Sequence, residues 1–261
     1  MDEADFPECH KDEMVARMRR DPSCVVEFIH GFGDAESRRK LYKLAQRTFS
    51  VPTFEGRCLD ALILVTRAGI EEGLRQSAAA TSRDTADELK NFSNVLSYNL
   101  SADLAECWPE DSLPREKRHF EAGLAAANDC LRWRLELRKG PYPFSIAWWA
   151  HGMHSLSLGL FADAAESFDK AQDFGMQAAK TLGHRHDEET DFNVVLNRGY
   201  GGWARKLDGN ASGQEQYARA CERFITIAAT EEGEAKNDAE FGLSQLRCIA
   251  ARIGPERANW R

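Results

Sequence analysis

An all-α fold of antiparallel helical hairpins is what this sequence predicts, on three observations. Runs of alternating β-branched residues bounded by tight turns are nearly missing, and the nearest, VVEFI at 25–29, sits inside a helical pattern. Most of the remainder is rich in Ala, Leu, Glu, Arg and Lys, whose side chains lose little freedom in a helix. Seven of the eight prolines lie at or before Pro143, and none occurs from Phe144 to Gly254. The second half therefore reads as consecutive helices broken only by glycines and polar turns.

Taken in order, the pattern predicts helices over 11–20, 23–30, 35–49, 56–76, 85–107, 115–138, 145–158, 161–182, 188–207, 213–230 and 233–253. Ser82 and Asp84 precede one helix as capping residues. Pro109 and Pro114 bracket the turn before the next, and Gly140, Pro141 and Pro143 separate that helix from the one expected at Ser145. The connections are short, so neighbours in sequence are expected to pack as antiparallel pairs.

With 261 residues the chain has ample length to bury a core. Its 34 Lys and Arg against 42 Asp and Glu leave a net charge of −8 and a pI near 5.5, the wrong sign for a surface that tracks phosphates or anionic lipid. No nucleic acid and no membrane are therefore expected as partners. The composition, 43% hydrophobic and 29% charged with a mean hydropathy of −0.52, is that of a folded soluble domain. The opening MDEADFPECHKDEM is acidic and polar, unlike the basic and then apolar start of an export signal, which predicts a cytoplasmic protein. The longest apolar run, ALILV at 61–65, is far below the roughly 20 residues a bilayer requires. Seven cysteines scattered singly, with no CxxC pair, suggest reduced thiols without a disulfide framework or a thiolate zinc site.

Between 147 and 171 the chain reads AWWAHGMHSLSLGLFADAAESFDKA. Trp148, Gly152, Ser155, Gly159, Phe161, Ala164, Phe168 and Ala171 follow one another at steps of 4, 3, 4, 2, 3, 4 and 3. Small residues at Gly152 and Ala164 let two antiparallel helices approach, and Gly159 permits the turn between them. Trp148, Phe161 and Phe168 are expected to fill the space around the crossing. This segment, about a tenth of the chain, resembles a tetratricopeptide repeat. It departs from the family pattern where Phe174-Gly175-Met176 replaces the usual terminal proline. Weaker echoes surround it. Phe92, Val95 and Leu96 match Phe192, Val195 and Leu196 as first helices, while Phe120 with Ala122, and Ala220 with Phe224, match the second. The units are spaced 56 and 44 positions apart, longer than the usual repeat of about 34.

The resemblance implies a TPR-like α-solenoid wound as a right-handed superhelix, in which successive first helices line a concave groove that accepts peptides or partner helices. It implies groove positions at Lys90, Asn94, Trp149, Met153, Asn193, Asn197 and Arg198, with Ser97 and Leu156 beside them. Asn side chains can bond an extended backbone, and Trp149 and Met153 provide an adaptable apolar floor; Trp149, Met153 and Leu156 fit equally well as core packed against the Phe92 helix or the N-terminal helices. The corresponding division is an N-terminal helical region at 1–81 packing on the repeats, TPR-like pairs at 82–232, and a capping helix and tail at 233–261, together one continuous domain. The implied function is that of a cytosolic scaffold or adaptor, not an enzyme, with a protein or peptide partner and no cofactor. A helical regulator with a small molecule in the groove fits the same residues.

A different chemistry is offered by the histidines. His151 and His154 lie three apart on one expected helix, and His184, His186, Asp187 and Asp191 follow its partner helix. His-x-x-His with a later His-Asp pair resembles the all-helical metal-dependent phosphohydrolases of the HD type. That likeness implies ligands at His151 or His154, His186 and Asp187, with Asp208 or Asp238 completing the set. Against it, His151 and His154 fall inside the repeat-like pattern, and HRHDEETD suits a hydrophilic loop entering a helix with acidic residues at its positive end. GxSxG, GxGxxG and GxxxxGK[ST] are absent. GYGGW at 199–203 lies in a helical pattern and suits close helix packing better than a phosphate cradle. REKRH at 115–119 and RWRLELRK at 132–139 spread their charges around helices that also carry acids, as solvated faces do.

Overall fold

The computed structural model describes residues 6–181 and 191–260. Among these there are eleven α-helices, a short 3-10 turn at each end and no strand. The all-α class holds, and adjacent helices pack in pairs. No helix among the described residues is long and apolar enough to cross a membrane. All seven cysteines are free. The chain forms two compact units, Met1–Leu104 and Ala105–Arg261.

The first unit holds α1 (Lys11–Arg20), α2 (Pro22–His30), α3 (Ala35–Ser50), α4 (Leu59–Ala79) and α5 (Arg83–Leu104). Asp21 caps α2 by accepting from the Ser23 backbone N–H at 2.8 Å, with Pro22 in the first turn where no N–H is needed. Asp34 caps α3 in the same way, accepting from Glu36 and Ser37. The fourth helix starts at Leu59 and not at residue 56, because Gly56 adopts a left-handed φ of 85° that ends the preceding turn. The fifth, expected to open the repeat-like region, packs on α4 and α3.

Between α3 and α4 lies a buried polar knot. Glu72, 4% exposed, accepts from Arg38 Nε and Arg75 Nη2 at 2.6 Å each and from Gln76 Nε2 at 2.5 Å. Burial pushes its carboxyl up, but the three donors outweigh this and hold it at about 2.

In the second unit α6 (Lys117–Glu136), α7 (Pro141–Ser157), α8 (Phe161–Thr181), α9 (Phe192–Leu207), α10 (Ala211–Thr230) and α11 (Gly233–Arg252) each pack on the next. Pro141 and Pro143, expected to stand between two helices, instead form the first turn of α7, where their missing N–H groups cost nothing. The α7–α8 hairpin closes around a glycine contact. A Cβ on Gly152 would sit 2.8 Å from the Phe168 ring, and Phe161, Ala164, Phe168 and Ala171 are all buried. Each of the two Phe side chains contributes roughly 2 kcal/mol by leaving water. Gly159 turns the chain with φ of 78°. Trp148 stays half-buried on the flank, with Lys170 Nζ 4.3 Å from its ring centroid.

The ninth helix is the centre of this unit. On one side the Phe168 and Tyr200 rings stack at 5.3 Å. On another, a Cβ at Gly202 would meet the Tyr217 backbone nitrogen at 2.5 Å, so α9 and α10 touch through their main chains. From behind, α11 seats Leu246 over Gly199, and Tyr200 donates to Gln245 Oε1 at 3.0 Å. The tail continues this support, since Trp203 Nε1 donates to the Ile253 carbonyl at 3.0 Å. Arg257 lies over the Phe120 and Trp260 rings, 5.3 and 4.1 Å from their centroids.

Candidate functional site

From Val194 to Ala204 every residue of α9 is buried except Arg198. Arg198 and Arg205, two turns apart, are the partly exposed residues of one face, and buried Gly201 lies between them at helical steps of three and four. Gly201 has no side chain to cover it, and a Cβ there would lie 3.0 Å from Arg205 Nη1 and 3.9 Å from Asp169 Oδ1. Arg198 and Arg205 floor a groove of about 660 Å³ whose walls are α8 and α10. Asp169 and Gln172 come from α8, and Gln216, Arg219, Glu222, Arg223 and Thr226 come from one face of α10.

The walls are tied together by polar contacts. Arg205 pairs with Asp169 and donates from Nη1 to Gln216 Oε1 at 3.1 Å, so one guanidinium bridges α8, α9 and α10. Arg219 pairs with Glu215 at 2.5 Å one turn back along α10. Four arginines and two carboxylates line the groove, which gives it a positive balance in a protein of net charge −8. Guanidinium groups offer forked donors matched to carboxylates, the two Gln amides can donate and accept, and the Thr226 hydroxyl, donating to the Glu222 carbonyl at 3.0 Å, can accept. A smaller groove of about 280 Å³ in the first unit is lined by Glu36, Arg39, Lys40, Lys43, Glu88, Leu89 and Phe92. There Lys40 pairs with Glu36 at 2.8 Å, and Lys43 lies 5.7 Å from the Phe92 ring centroid.

The positions expected from the resemblance divide sharply. Met153 is fully buried, Trp149 is 8% exposed and packs edge-on against Trp108 at 5.9 Å, and Asn197 is 3% exposed with Nδ2 donating to the Asn193 carbonyl at 2.7 Å. In the first unit Asn94 is 4% exposed, and Lys90 is half-buried. Asn94, Trp149, Met153 and Asn197 are thus corrected to packing residues, because neighbouring helices cover the faces that carry them. Asn193 is half-buried. Arg198 alone of the seven lines the larger groove.

His151 and His154 face different neighbours. His151 Nδ1 is 2.8 Å from Ser167 Oγ on α8, and burial lowers its pKa. His154 is fully buried and turns to α6, where Gly123 makes room for its ring and Phe120 lies 6.3 Å away between centroids. His184, His186 and Asp187 lie outside the described residues, among which no group of three or more His, Cys, Asp or Glu side chains could hold a metal ion.

The groove arginines that the resemblance does not point to are Arg205, Arg219 and Arg223. Their signal is present in the sequence as spacing, since 198 and 205 are two turns apart and 216, 219, 223 and 226 form one stripe. Spacing alone does not say that the two stripes face each other. No family model, no curated protein and no solved structure matches the chain.

Proposed function

We propose that this chain is a TPR-like interaction module, an α-solenoid of helical pairs that holds a peptide or partner helix in the groove between α8, α9 and α10. The carrying observation is the groove floored by Arg198 and Arg205 of the otherwise buried α9 and walled by polar side chains that can bond a backbone. The repeat-like segment supports the reading, because its residues make the α7–α8 hairpin that abuts this groove and α9–α10 follows as a second glycine-closed pair. A scaffold role in the cytoplasm is the corresponding biological setting.

The test is to plug the groove. Gln172→Trp combined with Thr226→Trp places bulk on its two walls at positions that carry no part of the core. Short random peptides displayed against the purified wild type should yield binders that the plugged protein no longer retains while its helicity is unchanged. Equal retention by both proteins would show that the groove is not where segments bind.

A further inference from the structure

We propose that this groove selects an acidic peptide segment, seating its carboxylates between Arg198 and Arg205 on the floor and Arg219 and Arg223 on the wall. The inference rests on the reading of the second unit as an interaction module and adds the chemistry of the partner.

Three features point to carboxylates on a peptide. First, the two arginine pairs occupy facing rows, seven apart on α9 and four apart on α10, so each row presents its guanidiniums on one side of its helix. Arg205 is held in place by Asp169 and Gln216, which fixes the direction of its remaining donors and reduces the ordering cost of binding. Second, Asp169 and Glu222 stand among the arginines. A continuous polyphosphate would bring its charges against both, whereas a peptide with spaced acids can turn its own N–H groups toward them. Third, Gln172 and Gln216 supply neutral amides that can donate, and the Thr226 hydroxyl, which itself donates to the Glu222 carbonyl at 3.0 Å, can accept from a peptide backbone. The protein's net charge of −8 repels large polyanions at long range, but over a short segment that repulsion is screened within about 8 Å at physiological salt.

The groove of the first unit makes a weaker case, because it is smaller, about 280 Å³, and Leu89 and Phe92 make part of its lining apolar.

The experiment sequences the peptides that the wild-type protein enriches from a random displayed library and measures the best of them by fluorescence anisotropy. Enriched peptides should carry more Asp and Glu than the input. Replacing those acids by Asn and Gln should weaken binding by about tenfold, and raising salt from about 50 to 300 mM should weaken it roughly three- to tenfold. Arg219→Glu with Arg223→Glu should abolish binding, and Arg219→Gln with Arg223→Gln, milder at these surface positions, should give an intermediate loss with unchanged circular dichroism. Enriched peptides without acidic excess, bound independently of salt, would overturn the acidic preference and leave the interaction reading standing. Enrichment of no peptide would overturn both. Displacement of the peptide by an oligothymidylate of equal charge at lower concentration would assign the groove to polyphosphates and overturn the proposal.

Discussion

Arg205 lies across Gly201 and pairs with Asp169 of the neighbouring helix, so the missing side chain at 201 is what allows a guanidinium from α9 to reach α8. A methyl group at 201 would press on the flexible end of Arg205, which can move aside. Gly201→Ala is therefore expected to leave the melting temperature unchanged or raised, since alanine favours a helix over glycine by about 0.5 to 1 kcal/mol. Binding of an acidic peptide should weaken several-fold because Arg205 loses its position. Thermal unfolding and peptide titration on the same preparation check both halves.

The adjacent glycine should behave in the opposite way. A Cβ at Gly202 would meet main-chain atoms of Tyr217 and Gln216, at 2.5 and 3.0 Å, and a backbone cannot swing aside as a side chain does. Gly202→Ala should destabilise the second unit by roughly 2 kcal/mol through forced separation of α9 and α10. Urea unfolding of the two neighbouring variants makes the comparison direct, and equal stabilities would contradict the packing described.

Trp149 is an interior residue, which is the packing role that its spacing leaves open beside a place in the groove. Trp149→Ala removes a ring packed against Trp108 and should cost about 3 to 5 kcal/mol, lowering the melting temperature by many degrees. Arg219→Gln should barely change that temperature, because an exposed ion pair such as Arg219 with Glu215 contributes about 0.2 to 1 kcal/mol. A stable Trp149→Ala protein with lost peptide binding would restore the tryptophan to the ligand surface.

Glu72 makes the stability of the first unit depend on pH. Its carboxyl titrates at about 2 when folded, against an ordinary value of 4.5. The folded pKa is the lower one, so its contribution is complete above the unfolded value and is lost as pH falls from 4.5 toward 2. Glu72→Gln should cost on the order of 3 kcal/mol at neutral pH, since two arginines lose their buried partner, and should flatten the acid dependence of unfolding over that window. Urea titrations at neutral pH and at acidic pH, followed for both proteins, measure this.

Helix positions are legible from the sequence because local chemistry marks them. Ser82 announces the cap of α5, where its hydroxyl accepts from the Thr85 backbone N–H at 3.2 Å, and the start of α8 at Phe161 follows the turn at Gly159. The α7–α8 crossing is also legible, since Gly152 and Phe168 meet as their spacing requires. Exposure is not. One register puts Trp149 and Arg198 alike on inward faces, yet one is enclosed and the other opens to solvent. Distant partners make the difference: Trp149 on α7 packs against Trp108, which stacks on Phe241 of α11, and α11 also covers the back of α9 through contacts such as Tyr200 with Gln245, 45 positions apart. Long-range contacts of this kind leave no periodic trace in either helix.

The measurement that bears most directly on the central claim is hydrogen–deuterium exchange of the whole protein with and without a selected peptide. Exchange is expected to slow along α10 over 216–226 and in α8 around Gln172, with the helices of the first unit unchanged. Protection confined to other helices, with α8 and α10 exchanging as in the free protein, would contradict it.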